Sequence, residues 1–277
     1  MGKETLNASS GLVWFVGAGP GDPDLITVKG RGLVEQADAI LYAGSLVSQA
    51  ALQWCKPECQ VADSKGMNLE EITHWLVQHA GPGKTVVRLQ TGDPSLYGSL
   101  VEMVQPLDAA GVASKVVPGV SSAFASAAAA VESLTLPEVT QTVMLTRMEG
   151  RTPMPDGEKL ADLARHGSTL CIFLSITLVV PVQQALKEAG WSDDAPMLIV
   201  HKASWPGEEQ IVRGTLGEDM ASKCKQAGIK SQAMIVASPA LEARHKQGLK
   251  KSKLYDASYT HKFRKGVDGN DQGKPIS

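Results

Sequence analysis

Leu12-Val13-Trp14-Phe15-Val16-Gly17-Ala18-Gly19-Pro20-Gly21-Asp22-Pro23-Asp24-Leu25-Ile26-Thr27 is the stretch whose reading decides the fold. Residues 12–16 are an unbroken apolar run of β-branched and aromatic types, which reads as a buried strand. Three glycines then open the chain, and a helical pattern follows over Val28–Gln36. A strand, a glycine-bearing turn and a helix make the first half of a parallel α/β unit. Ala39–Tyr42 supplies the next strand.

The same alternation continues downstream. Asn68-Leu69-Glu70-Glu71 has the form of a capping box, with Ile72, Trp75 and Leu76 on one face behind it. Gly81-Pro82-Gly83 stops that helix. Residues 85–89 and 115–117 read as buried strands. The Ala-rich stretch 121–131 suits a helix packed closely against a neighbour. A second set follows: strands over 142–146, 169–174 and 197–200, helices over 158–165 and 179–189, then strands 209–213 and 232–237 around a helix over 216–226. The fold class is therefore α/β, as two α/β domains of similar size with an inter-domain cleft. We assign residues 1–11 to a flexible N-terminal arm, 12–120 to the N-terminal α/β domain, 121–240 to the C-terminal one, and 241–277 to a basic extension. That extension holds nine Lys and Arg against four Asp and Glu. A cleft between two such domains is the expected ligand site.

Bulk properties narrow the function. The chain has 277 residues, 43% hydrophobic and 20% charged, with a formal net charge of −2. That balance argues against a nucleic-acid partner, which calls for a basic excess. The longest apolar stretch, 170–182, is too short for a bilayer, which needs about 20 residues, so no membrane partner is expected. The polar N-terminus lacks an export signal, and a soluble, cytoplasmic protein is expected. Cys55 and Cys59 have a metal-pair spacing, but no further ligands stand near them in sequence, so no metal is expected and the four cysteines read as reduced thiols.

Three strand-to-helix loops carry the chemical signal. Ligands of a parallel sheet bind outside the carboxyl ends of its strands, where the 17–27 loop must lie. A dinucleotide is excluded there. Its fingerprint wants glycine at the sixth position, which is Asp22, and Pro20 removes a donor from the phosphate cradle. The second strand ends in Tyr42-Ala43-Gly44, without a ribose-binding carboxylate. The second loop, Arg88-Leu89-Gln90-Thr91-Gly92-Asp93-Pro94-Ser95-Leu96-Tyr97-Gly98, suits a hydroxyl-rich or cationic ligand. Asp93 can equally be a helix N-cap with Pro94 at the first helical position. The third, Val117-Pro118-Gly119-Val120-Ser121-Ser122, can also be a cap through either serine. Thr146-Arg147-Met148-Glu149-Gly150-Arg151-Thr152-Pro153 puts two arginines and a glutamate at a strand exit. Arginine suits bidentate carboxylate recognition, and an internal ion pair is the competing reading.

Taken together, these segments resemble the tetrapyrrole methylase family over about residues 12–240. The motifs are Gly17-Ala18-Gly19-Pro20-Gly21-Asp22 with Leu25-Ile26-Thr27, Gly92-Asp93-Pro94 with Tyr97-Gly98, and Pro118-Gly119-Val120-Ser121-Ser122. Branch marks are Tyr42-Ala43-Gly44-Ser45-Leu46-Val47, the 146–153 segment, His201-Lys202-Ala203-Ser204-Trp205-Pro206, and in the tail Ser252-Lys253-Leu254-Tyr255-Asp256 with His261-Lys262-Phe263-Arg264. They point to methylation of precorrin-4 or cobalt-precorrin-4 at C11. Uroporphyrinogen methylases of the family carry an aspartate where this chain has Ala43, which argues for a different ring substrate. The resemblance implies S-adenosylmethionine as cofactor, an anionic tetrapyrrole as substrate, and a homodimer. It places the cofactor against Pro20, Thr91, Gly92, Asp93, Leu96, Ser121 and Ser122, with Leu174, Ala203 and Ala233 from the second domain. Arg147 and Arg151 would read substrate carboxylates. Arg88 and Lys29 are weaker candidates, because each can serve the fold. Transfer from a sulfonium needs alignment and dryness rather than a nucleophile. Glu149 is the nearest candidate base by type. Open alternatives are a methylase of this fold acting on another corrin carbon or on a macromolecule, and a non-catalytic tetrapyrrole carrier.

Overall fold

The computed structural model describes residues 11–245 and 252–266. The expected arm and parts of the basic extension thus lie outside the described residues.

The first half is built on a five-stranded sheet, all parallel, with strand order β3-β2-β4-β1-β5. Its strands are β1 (Leu12–Gly17), β2 (Ala39–Tyr42), β3 (Gln60–Asp63), β4 (Thr85–Gln90) and β5 (Ala113–Val117). Both faces are covered, as a parallel sheet requires. One face carries Val16, Ile40, Val87 and Leu89 under α1 (Val28–Gln36). The other carries Val13, Phe15, Leu41 and Val86 under α2 (Leu69–His79) and α3 (Leu100–Ala109). The capping box forms as its sequence predicts: Asn68 accepts from the Glu71 amide at 2.9 Å, and Glu71 accepts from the Asn68 amide at 2.7 Å.

The chain then crosses by α4 (Ser122–Ala130), which packs on the second sheet through Ala123 and Ala127. That sheet has the order β6-β7-β10-β8-β9. Its strands are β6 (Val143–Arg147), β7 (Thr169–Phe173), β8 (Pro196–His201), β9 (Gln210–Thr215) and β10 (Ala233–Ala237). It is mixed: β6 and β7 are parallel, and β10 runs antiparallel to both β7 and β8. Helices α5 (Leu160–Ala164), α6 (Val179–Glu188) and α7 (Met220–Gln226) cover its far face.

Two elements escape the sequence reading. β3 is an edge strand, short and half polar, so it lacks the apolar run of a central strand. In α3, Pro106 sits inside the helix and Ser99 enters it left-handed with no side-chain cap, so the usual start and stop signals are missing. Its apolar spacing is still regular, with Met103 and Leu107 buried. Within the tail, residues 252–266 form a 3-10 turn at Lys253–Tyr255 and a bridge between His261 and Arg264.

Candidate active site

Strands β4, β1 and β5 are neighbours in the first sheet, and their carboxyl ends are in register: Gly17 lies beside Gln90, and Val16 beside Val117. Their three exit loops therefore meet at one edge. The loops touch through glycine. A Cβ on Gly17 or on Gly119 would collide with the Gly92 carbonyl. Gly92 N donates to Gly19 O at 2.8 Å, and Gly92 itself is left-handed at φ 59°. Asp93 completes the tie: one oxygen accepts from the Gly119 amide at 2.9 Å and the other from the Ser95 amide at 2.9 Å. Burial alone would raise the Asp93 pKa. The bonds from Ser95 and Gly119 outweigh it and hold the carboxyl below its ordinary range. Asp93 and Pro94 do not start a helix as the cap reading expects, because α3 begins only at Leu100. Ser121 does cap α4, accepting from the Ala123 amide.

The second sheet presents the opposite wall. Because β10 runs against β7 and β8, the exits of β7 and β8 and the entrance of β10 share one edge. Three hydrogen bonds join the walls. Trp205 Nε1 donates to Pro20 O at 3.0 Å, Asp22 N to Ser204 Oγ at 3.1 Å, and Gln232 Nε2 to Ser45 O at 2.9 Å. Gly21 lies so close under the Trp205 indole that a Cβ has no room. The turn holding Trp205 is costly: Lys202 and Ser204 are left-handed, and Lys202 pairs with Glu208.

Between the walls lies a cavity of about 330 Å³. All ten residues expected at the cofactor line it: Pro20, Thr91, Gly92, Asp93, Leu96, Ser121, Ser122, Leu174, Ala203 and Ala233. The sequence reading missed several others there, among them Tyr97, Ser126, Phe173 and Trp205. Trp205 belongs to the 201–206 motif, but its role depends on a contact 185 positions away. Ser126 is fully buried, and its hydroxyl has no partner among the described residues, although a serine inside a helix usually returns it to the backbone.

Arg147, Glu149 and Arg151 do not line the cavity. The Arg147 guanidinium donates to Thr152 O at 3.2 Å and Pro153 O at 2.7 Å, and Glu149 accepts from the Met154 amide at 3.4 Å. The competing reading of an internal ion pair is not realised among the described residues. Arg88 and Lys29 serve the fold: Arg88 donates to Ser64 Oγ at 2.9 Å inside the sheet layer, and Lys29 lies over the Trp14 ring. Burial lowers the Arg88 pKa to about 10, with Asp63 opposing. No group of three or more His, Cys, Asp or Glu among the described residues could hold a metal ion.

Comparison with known proteins agrees with this architecture. The family model described as Tetrapyrrole (Corrin/Porphyrin) Methylases matches residues 12–219. The cobalt-precorrin-4 C(11)-methyltransferase of Priestia megaterium is 50% identical, over 92% of this chain and 98% of that protein. The precorrin-4 C(11)-methyltransferase of Pseudomonas aeruginosa is 46% identical, over 92% of this chain and 99% of that one. Among solved structures, a cobalamin biosynthetic enzyme, cobalt precorrin-4 methyltransferase, superposes with a TM-score of 0.80 at 50% identity, covering 83% of this chain and 96% of that one. Uroporphyrin-III C-methyltransferase from Thermus thermophilus, complexed with S-adenosyl homocysteine, gives 0.69 at 28% identity, with 84% and 94% covered. Two sheets facing across a glycine-edged cleft and a match over most of the length agree: the chain belongs to the tetrapyrrole methylase family.

Proposed function

We propose that this protein transfers the methyl group of S-adenosylmethionine to C11 of precorrin-4, or of its cobalt form, in cobalamin biosynthesis. The observation that carries the reading is the cavity itself, which gathers all ten expected cofactor residues from six separate segments. The relatives that bear this activity in their names match over nine-tenths of the chain.

The residues present fit the cofactor. The volume falls within the range of small-molecule sites. Leu96, Leu174, Ala203, Ala233 and Met234 offer apolar surface, while Thr91, Ser121 and Ser122 offer hydroxyls. The Ser126 hydroxyl at the cavity, without a partner among the described residues, is a further group that a polar ligand atom would satisfy. Asp93 stays ionised and favours a cation nearby.

When bound, S-adenosylmethionine supplies a methyl group already activated by positive charge on sulfur. The chain's part is alignment and exclusion of water. The tied loops fix one side of the cleft, and the Trp205 contact to Pro20 closes it from the other. Arg147 and Arg151 supply positive charge for the substrate's carboxylates, and Glu149 stays the candidate base. None of the three touches the cavity, so each would act at the outer part of the substrate.

The protein is further proposed to act as a homodimer in the cytoplasm. No helix among the described residues is long and apolar enough to cross a membrane, and all four cysteines are unpaired, as in a reducing compartment. Light scattering tests the dimer. The decisive experiment mixes purified protein with S-adenosylmethionine and precorrin-4, with and without cobalt. Mass spectrometry should find a product heavier by one methyl group, together with S-adenosylhomocysteine. A protein that binds no S-adenosylhomocysteine by calorimetry overturns the reading.

A further inference from the structure

Tyr97 and Leu174 stand on opposite walls of the cleft, at the exits of β4 and β7. Both are left-handed, at φ 55° and 53°, a conformation that side chains of their size rarely adopt. Both are also exposed, Tyr97 by 46% and Leu174 by 64%. Neither strain nor exposure serves the core, and backbone strain of this kind clusters where a ligand is clamped. Phe173 joins them: its ring centroid is 5.3 Å from that of Tyr97, at an interplanar angle of 52°. All three line the cavity, and the Tyr97–Phe173 pair bridges its two walls.

The edge of that pair is charged. Arg147 and Glu158 lie within electrostatic reach of the Tyr97 phenol. The Arg147 fork is fixed by the Thr152 and Pro153 carbonyls, and no carboxylate among the described residues pairs with it. The phenol makes no hydrogen bond among the described residues. An exposed tyrosine ring backed by the half-buried Phe173, an exposed leucine and a fixed guanidinium with no carboxylate partner among the described residues match a ligand with a broad π-face and peripheral carboxylates.

We propose that Tyr97, Phe173 and Leu174 are the seat on which the acceptor ring lies, with Arg147 holding a carboxylate at its edge. The ligand class is a conjugated tetrapyrrole polycarboxylate. This rests on the methyl-transfer reading above, since the seat must present a ring carbon to the cavity between the walls.

The test uses uroporphyrin III as probe, titrated by its absorption shift into the full-length protein saturated with S-adenosylhomocysteine. Tyr97→Ala should weaken probe binding at least tenfold, and Tyr97→Phe, which keeps the ring, less than threefold. Arg147→Gln should weaken it severalfold. Tyr97→Ala binding the probe as tightly as the parent overturns the seat, as does a saturated parent that ignores the probe. A parent that fails to bind S-adenosylhomocysteine in the preceding calorimetry instead overturns the methyl-transfer reading, so the two failures are distinguishable.

Discussion

On the first-sheet wall of the cleft the chain turns at Gly17, Gly92 and Gly119. On the facing wall it turns at Leu174, Lys202 and Gln232, all with side chains and all left-handed. The two walls approach the same cavity by opposite means. At the three glycines no side chain stands between the loops, so backbone meets backbone with little strain at those contacts. The opposite wall keeps its side chains and tolerates strain, because those side chains line or edge the cavity. The glycine contacts act as a scaffold, while the left-handed side chains that line the cavity, Leu174 on the second wall and Tyr97 on the first, stand free of the core. Substitutions on the two should therefore act with opposite sign on stability.

The largest effect is expected at Gly119. Gly119→Ala drives a Cβ into the Gly92 carbonyl and the Gly17 backbone, neither of which is a flexible side chain that could give way. Overpacking of this kind costs roughly 3 kcal/mol. That is a fall in Tm of roughly 10 °C for a chain of this size, with loss of S-adenosylhomocysteine binding. Scanning calorimetry decides it. A variant as stable as the parent would show that the three loops are not locked together.

Asp93 comes next, because it ties the Gly119 amide with a charge. In Asp93→Asn one carboxylate oxygen becomes an N–H group that cannot accept from Gly119 or Ser95. The penalty at neutral pH is about 1–2 kcal/mol. Its pH dependence follows from the lowered Asp93 pKa. A carboxyl depressed on folding stabilises the protein above its unfolded pKa, and that contribution is lost as pH falls through the folded value. The Tm gap between parent and Asp93→Asn should thus be widest near neutrality and close below about pH 4. A gap that stays constant with pH would assign the effect to shape rather than charge.

The contrast between the walls also explains what could be read from the sequence. Glycines spaced between a strand and a helix are a local signal, and three such loops at neighbouring strand ends fix the scaffold wall. The facing wall has no local signal. Ala203 and Ala233 look like any small core residues, and only the family resemblance brought them forward. Tyr97 belongs to the Gly92–Gly98 motif, but its pairing with Phe173 joins two sheets and leaves no trace in spacing. The Trp205 indole bonds Pro20 from the far end of the chain. Ser126 is one more small residue in an Ala-rich helix, and only the fold shows its hydroxyl buried without a partner among the described residues. Sequence reports backbone requirements well and contacts between distant segments poorly.

The smallest effect is the one that separates the walls most cleanly. Leu174 is 64% exposed, so replacing it by glycine forfeits little burial. A non-glycine residue in the left-handed region costs about 1–2 kcal/mol, which glycine avoids. Glycine also gains freedom in the unfolded chain, which takes back about 0.4–1 kcal/mol. Leu174→Gly should therefore be slightly more stable than the parent, by roughly 0.5 kcal/mol and a degree or two in Tm. Its affinity for S-adenosylhomocysteine should fall severalfold, because the cavity loses an apolar contact. A scaffold residue cannot behave in this way, since removing it lowers stability and affinity together. If Leu174→Gly lowers Tm and leaves affinity unchanged, the strained wall is a second scaffold, and its left-handed turns answer to the core rather than to the ligand.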